Sequence, residues 1–476
     1  MKKKFINDIS ANSFQVIINQ SCGLIIFYLL STGLDKNNFG EINWVLAILL
    51  TSFNILSFGM DQVVIKKVAS GNEPGYILSL YTSHVLFAGA FFYGILLLSQ
   101  YIFPGFILHP QLLLLLGIGK LMIFFSTPFK QLSTGLEKFR PLLFMSVTSN
   151  IVKSIALLLF AVWKQLDLAH VVVIFIAGDL IELIICYIIA RRHLKIPVRL
   201  VWDTKGYGQL MKESLPQTGV VIFTSAIARF DWILLGIMAS NIILAEYSFA
   251  YKVFEMAMLP LLIIAPILIT RFTKIFNPHT AANHTGKIND LLVLLKIEMI
   301  IASLIAMALV ICWVPLVDWI TDSKYGAVNR VTVLILAVSM PLLYFNNFLW
   351  TIQFARGALK TTFYIFLFTF LVNIIADIVM IPFFKGEGAA IAYLLAIFFQ
   401  TLLFLQKTQI SNLPDNWLNS LLIPVSALLS CVLASMLLSQ WWLVLPVSIF
   451  FFGISLLVTS STKRTNRAVF KRVTGI

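Results

Sequence analysis

Long apolar runs, separated by short polar segments, set the rhythm of this chain. A helix needs about 20 predominantly apolar residues to cross the hydrocarbon of a bilayer. Fourteen windows reach that length, at about 12–33, 42–65, 76–102, 111–130, 141–162, 169–190, 214–238, 246–270, 289–314, 327–354, 360–382, 386–406, 417–438 and 440–460. The pattern predicts an all-α polytopic membrane protein with about 14 transmembrane helices.

Composition sharpens this. The 476 residues are 59% hydrophobic and 12% charged, with a mean hydropathy of +0.92. Soluble chains carry about a quarter charged residues, and no polar region here is large enough for a separate soluble domain. The start MKKKF has the charge of a signal-peptide n-region, but no small-residue cleavage site follows, so the first window is expected to stay as a helix. Cys22, Cys186, Cys312 and Cys431 lie in separate apolar runs without a C-x-x-C pair, which gives neither a zinc site nor a redox pair. The six histidines form no ligand cluster, and no Walker, G-x-S-x-G or H-E-x-x-H motif occurs. An enzyme is therefore not expected, nor a cofactor or a metal.

The net charge of +14 would suit nucleic acid only if the basic residues formed one solvated patch. They follow the topology instead. With a cytoplasmic N-terminus, the cytoplasmic segments hold 25 of the 35 Lys and Arg, and the opposite loops hold four (Lys36, Lys164, Lys324 and Lys385). This positive-inside asymmetry predicts a cytoplasmic N-terminus and C-terminus. The longest cytoplasmic connection, 191–217, divides six windows from eight. The halves are weakly self-similar: Glu41 can be laid on Glu246, and Asn150 on Asn373. A parallel six-helix repeat follows from this. Its parts are an N-terminal lobe at 1–190, a linker at 191–213, a second lobe at 214–406, and two further helices with a basic tail at 407–476.

Charges inside the windows are costly and mark candidate sites. The bases are Lys120, Lys153, Arg229, Lys252, Lys296 and Arg330. The acids within or at the edges are Asp61, Asp179, Glu182, Asp231, Glu246, Glu255, Asp290, Glu298 and Asp377. Arg229 and Asp231, two apart, point about 200° from each other and are not expected to pair. Lys252 and Glu255 share a helix face and can neutralise one another. Asp179 and Glu182 also share a face, and they need a cation nearby, with Lys153 on the preceding helix as the expected partner. Lys120 suits either a cavity or a structural partner.

The stretches GLDKNNFGEINWVLAILLTSFNILSFGMDQVVIKKVA (33–69), RFDWILLGIMASNIILAEYSFAYKVFEMAMLPL (229–261) and VNIIADIVMIPFFKGEGAAIAY (372–393) carry a family resemblance. Over about residues 10–405 the chain resembles the O-antigen and capsule type oligosaccharide flippases of the polysaccharide transporter family. That family belongs to the multidrug/oligosaccharidyl-lipid/polysaccharide (MOP) superfamily. The resemblance implies two six-helix lobes around a central cavity, plus two C-terminal helices. It also implies movement of polyprenyl-diphosphate-linked repeat units to the outer leaflet of a bacterial cytoplasmic membrane. Expected partners are the lipid-linked oligosaccharide, membrane lipids, a polysaccharide polymerase and chain-length proteins; the protein itself is expected to be a monomer. A diphosphate calls for cations, so Arg229, Lys252, Lys120 and Lys153 are the head-group candidates. Asp179, Glu182, Asp231 and Glu255 are candidates for proton or sodium coupling, or for structural charge pairing.

Three alternatives stand beside this reading. A multidrug/cation antiporter of the same superfamily would favour a carboxylate in the first helix, whose NSFQVIINQSCGLIIFYLL has none. A lipid II flippase would present basic residues in the first two helices. A polytopic polymerase or glycosyltransferase would carry a large outer loop, and the outer loops here are short.

Overall fold

A computed structural model of the chain describes residues 2–102, 105, 108–163, 165–196, 203–261, 272, 284–408 and 417–461. The middle of the linker, the end of the eighth window, the 273–283 stretch and the basic tail lie outside these residues. Among the described residues every regular element is helical, and ten helices are long and apolar enough to cross a membrane. A bent pair within one more helix raises that number to 11.

Two compact units emerge, Met1–Ala245 and Glu246–Ile476. The first contains α1 (Lys2–Gly33), α2 (Lys36–Leu56), α3 (Met60–Ala69), α4 (Pro74–Ile102), α5 (Pro110–Gly135), α6 (Phe139–Val162), α7 (Leu168–Arg192) and α8 (Thr204–Met238). Side chains cap three of these starts: Asp35 accepts from the Asn38 amide, Asp167 from that of His170, and Asp203 from those of Lys205 and Gly206. The second window is not one helix. Phe58 and Gly59 take left-handed φ values of 48° and 65°, which end α2 and restart the chain as α3.

α8 packs along α2 and α3, so the compact unit ends one helix later than the repeat boundary. From Thr204 onward the expected linker is already helix.

The second unit holds most of α9 (Asn241–Ala257), then α10 (His284–Ile320), α11 (Arg330–Ala355), α12 (Leu359–Lys407), α13 (Leu418–Leu437) and α14 (Trp441–Ser461). The 49 residues of α12 would extend about 73 Å if straight, more than twice the roughly 30 Å of a bilayer core. Lys385 breaks the run at φ 54° and ψ −126°, between the eleventh and twelfth windows. The core of this unit gathers Leu295 and Met299 of α10, Phe345, Phe348 and Ile352 of α11, and Phe404 of α12. Large apolar side chains such as Phe87, Phe91 and Leu98 of α4 stay on the outside, as suits a surface solvated by lipid tails.

Candidate functional site

In the first unit, α5 and α6 both pack on α7 and bring charges of three apolar helices together. Asp179 of α7 receives Lys153 of α6, and Lys120 of α5 at 3.3 Å. The Ser149 hydroxyl donates to the same carboxylate at 2.8 Å. Three residues on, Glu182 receives Lys130 of α5. The Asp179 side chain is 1% exposed and that of Lys153 4%, whereas Lys120 keeps 13%. Both ammonium groups lie over the Phe175 ring, 4.8 Å away for Lys153 and 5.6 Å for Lys120.

Two glycines make this approach feasible. A β-carbon on Gly119 would sit 2.8 Å from an Asp179 oxygen, and one on Gly178 would sit 2.9 Å from Lys153 Cγ. Three lysines against two carboxylates leave one surplus positive charge, and Lys120 is the more accessible of the two cations on Asp179.

Sequence reasoning placed Lys153 beside Asp179 and missed Lys130, taken as the cytoplasmic end of its window. In the structure α5 runs on to Gly135, which puts Lys130 more than a turn inside the helix. A signal was available: Gly119–Lys120 and Gly178–Asp179 are small–charged dipeptides within apolar windows, and small residues mark close helix contacts in membranes.

The second constellation lies along α2 and α8. At one end Trp44 Nε1 donates to the Ile233 carbonyl at 3.2 Å, and the Asn241 amide donates to Asn37 Oδ1 at 3.2 Å. At the other end Lys67 pairs with Glu213 at 2.9 Å, and the Thr218 hydroxyl donates to the Phe58 carbonyl at 2.9 Å. Tyr76 donates to Asp203, the cap of α8, and Tyr207 lies 2.9 Å from His84 Nδ1. The Tyr76 hydroxyl, with the Gly206 amide, holds the Asp203 carboxyl below the usual carboxylate range; Lys67 does the same for Glu213.

Between these ends α8 bends by 51°, from Val221–Ile227 to Arg229–Met238. Arg229 opens the second segment, half-buried, with its guanidinium 4.4 Å from the centre of the Trp232 ring. Asp231 is buried and accepts the Trp232 amide at 2.8 Å. In the second unit Lys252 and Glu255 form their i,i+3 pair at 2.8 Å. Among the described residues no group of three or more His, Cys, Asp or Glu could hold a metal.

The match to known proteins agrees with this architecture. Residues 5–273 match a family model described as polysaccharide biosynthesis protein. No curated protein matches the chain by sequence. Among solved structures, the lipid II flippase MurJ in an inward closed conformation is 16% identical, with a TM-score of 0.73 over 94% of this chain and 98% of that one. An inward-facing multidrug resistance MATE family transporter of the MOP superfamily is 11% identical, with a TM-score of 0.66 over 82% and 96%. A MOP superfamily transporter from Pyrococcus furiosus is 12% identical, with a TM-score of 0.58 over 84% and 95%. At these identities the likeness shows the fold, which is that of MurJ and the MATE transporters. The family match spans more than half of the chain, so the chain belongs to the polysaccharide biosynthesis protein family.

Proposed function

We propose that the chain moves polyprenyl-diphosphate-linked oligosaccharide repeat units from the cytoplasmic to the outer leaflet of a bacterial cytoplasmic membrane. The sugar and diphosphate cross roughly 30 Å of hydrocarbon, while the prenyl tail stays in lipid. The observation that carries the reading is Arg229 at the bend of α8. A cation at a bend in an apolar helix suits a polar path rather than lipid. A guanidinium there offers a bidentate fork to a diphosphate. Lys120, as the accessible cation of the α5–α7 cluster, is the second head-group candidate, and Lys252 is the third. Lys153 instead neutralises Asp179. The lysine pairs on Asp179 and Glu182 support a structural strut at these two acids rather than ion coupling.

Alternating access by the two lobes, driven by a proton or sodium gradient, completes the reading, with a polymerase and chain-length proteins taking over the product. Likeness to a lipid II flippase supports the alternative that lipid II is the substrate. The family match to polysaccharide biosynthesis favours the repeat unit.

Arg229→Ala and Arg229→Lys test the site through membrane abundance and export of repeat units. Normal abundance with lost export, partly restored by Lys, is the expected result. Low abundance rescued by Glu255→Gln would make Arg229 half of a structural pair and overturn its role at the head group.

A further inference from the structure

Glu298 lies on α10, five residues inside the apolar stretch Val293–Ile320, and is 1% exposed. Neither carboxyl oxygen has a hydrogen-bond partner among the described residues. Two polar groups of α11 face it, the Asn347 amide and the Tyr344 hydroxyl. Asn347 Nδ2 and the Tyr344 hydroxyl are themselves buried without a partner. The neighbouring Asn346 is committed elsewhere, to the Ile397 carbonyl at 3.1 Å and Gln400 at 3.0 Å on α12. Around this polar group stand Leu295, Met299, Phe345 and Phe348, all fully buried.

Among the described residues no other charge balances Glu298. Lys296 is two positions away and so points about 200° around the helix. On α11 Arg330 stands fourteen residues before Tyr344 and Arg356, the C-cap, twelve residues after it, about 21 Å and about 18 Å along the axis. Of the other helices packed on α10, α13 contributes Cys431 as its only titratable side chain and α14 contributes none. A carboxylate without a cation beside it is too costly to keep in such surroundings.

We infer that Glu298 is a proton-binding site of the second unit, holding its proton in this packed state and releasing it when α10 and α11 part and water enters. The charge balance is simple: a carboxylate plus a proton gives a neutral acid, whose carbonyl oxygen then accepts from Tyr344 or Asn347. A hard metal cation would need a shell of about six oxygens; one carboxylate, one hydroxyl and one amide within an aromatic and aliphatic wall fall short of it. Use of this proton to drive transport rests on the transporter reading above, but the proton site itself does not.

The test reads the proton with no substrate present. Infrared difference spectra, native protein minus Glu298→Gln, are recorded on the full chain in lipid nanodiscs at neutral pH, in potassium and in sodium buffer. A carboxylic acid carbonyl band in both buffers, missing from Glu298→Gln, is expected. A carboxylate band at neutral pH overturns the assignment, as does an acid band that sodium abolishes, which would mark a sodium site. Should Glu298→Gln fail to accumulate, Tyr344→Phe and Asn347→Leu replace it. The band then moves to higher frequency in the variant that removes its donor, and a band unmoved in both overturns the assignment. Coupling is read separately, as loss of export in Glu298→Gln cells at unchanged abundance; full export there overturns the coupling role while leaving the flippase reading intact.

Discussion

The indole of Trp44 occupies the space that a β-carbon on Gly236 would need, and its Nε1 donates to the Ile233 carbonyl one turn earlier on α8. Gly40 meets the Asn241 backbone in the same way, with no room for a side chain. With Lys67–Glu213 and Thr218–Phe58 at the opposite end, α2, the turn after it and α3 are closed on α8. Transport by alternating access requires one end of this seam to open. Cysteines at Asn37 and Asn241, whose side chains meet at 3.2 Å, are expected to crosslink readily and to stop export. Full export by completely crosslinked protein would rule out opening at that end.

A side chain at Gly236 should act as a wedge in the same seam. Overpacking of this kind costs about 1–3 kcal/mol, so Gly236→Val is expected to lower the thermal midpoint in detergent and to slow the Asn37–Asn241 crosslink. An unchanged crosslinking rate would mean that Trp44 moves aside and the seam is loose.

The α5–α7 cluster should behave as a strut. Asp179→Asn leaves the 4% exposed Lys153 ammonium without its anion, at a cost of about 3–5 kcal/mol. Thermal unfolding should show that loss, and the double variant Asp179→Asn/Lys153→Met should recover part of it. Normal stability with abolished transport in Asp179→Asn would instead make the cluster a coupling site.

The start of α8 should resist acid. Asp203 and Glu213 are held below their usual values, so their contacts are fully formed above the unfolded carboxylate value of about 4 and are lost only as pH falls through the lower folded one. Hydrogen exchange over residues 204–215 is expected to be flat in protection from pH 8 to pH 5, after correction for the intrinsic rate. A loss of protection within that range would show that another group controls this end.

Much of this was legible in the chain. Apolar runs mark the helices, because in lipid every backbone polar group must be satisfied within the segment. Asp179 and Glu182, one turn apart, announced their need for cations. Which lysine would answer was less readable, since Lys130 reaches Glu182 only because α5 continues past its apolar window and packs on α7. The α2–α3 break lies inside one apolar window, because the polar residues around Phe58 and Gly59 are too few to divide it by hydropathy. The fit of Trp44 against Gly236 depends on packing between elements 189 residues apart and has no local signature.

A flippase moves a lipid-linked oligosaccharide across the membrane, so the leaflet in which that lipid stands shows whether this chain does so. Cells depleted of the protein, with the polymerase intact, are given a membrane-impermeant saccharide-oxidising label. Undecorated repeat units should accumulate on their prenyl carrier, protected from the label until the membrane is permeabilised. Repeat units that accumulate while already open to the label would place the defect after translocation and contradict the flippase reading.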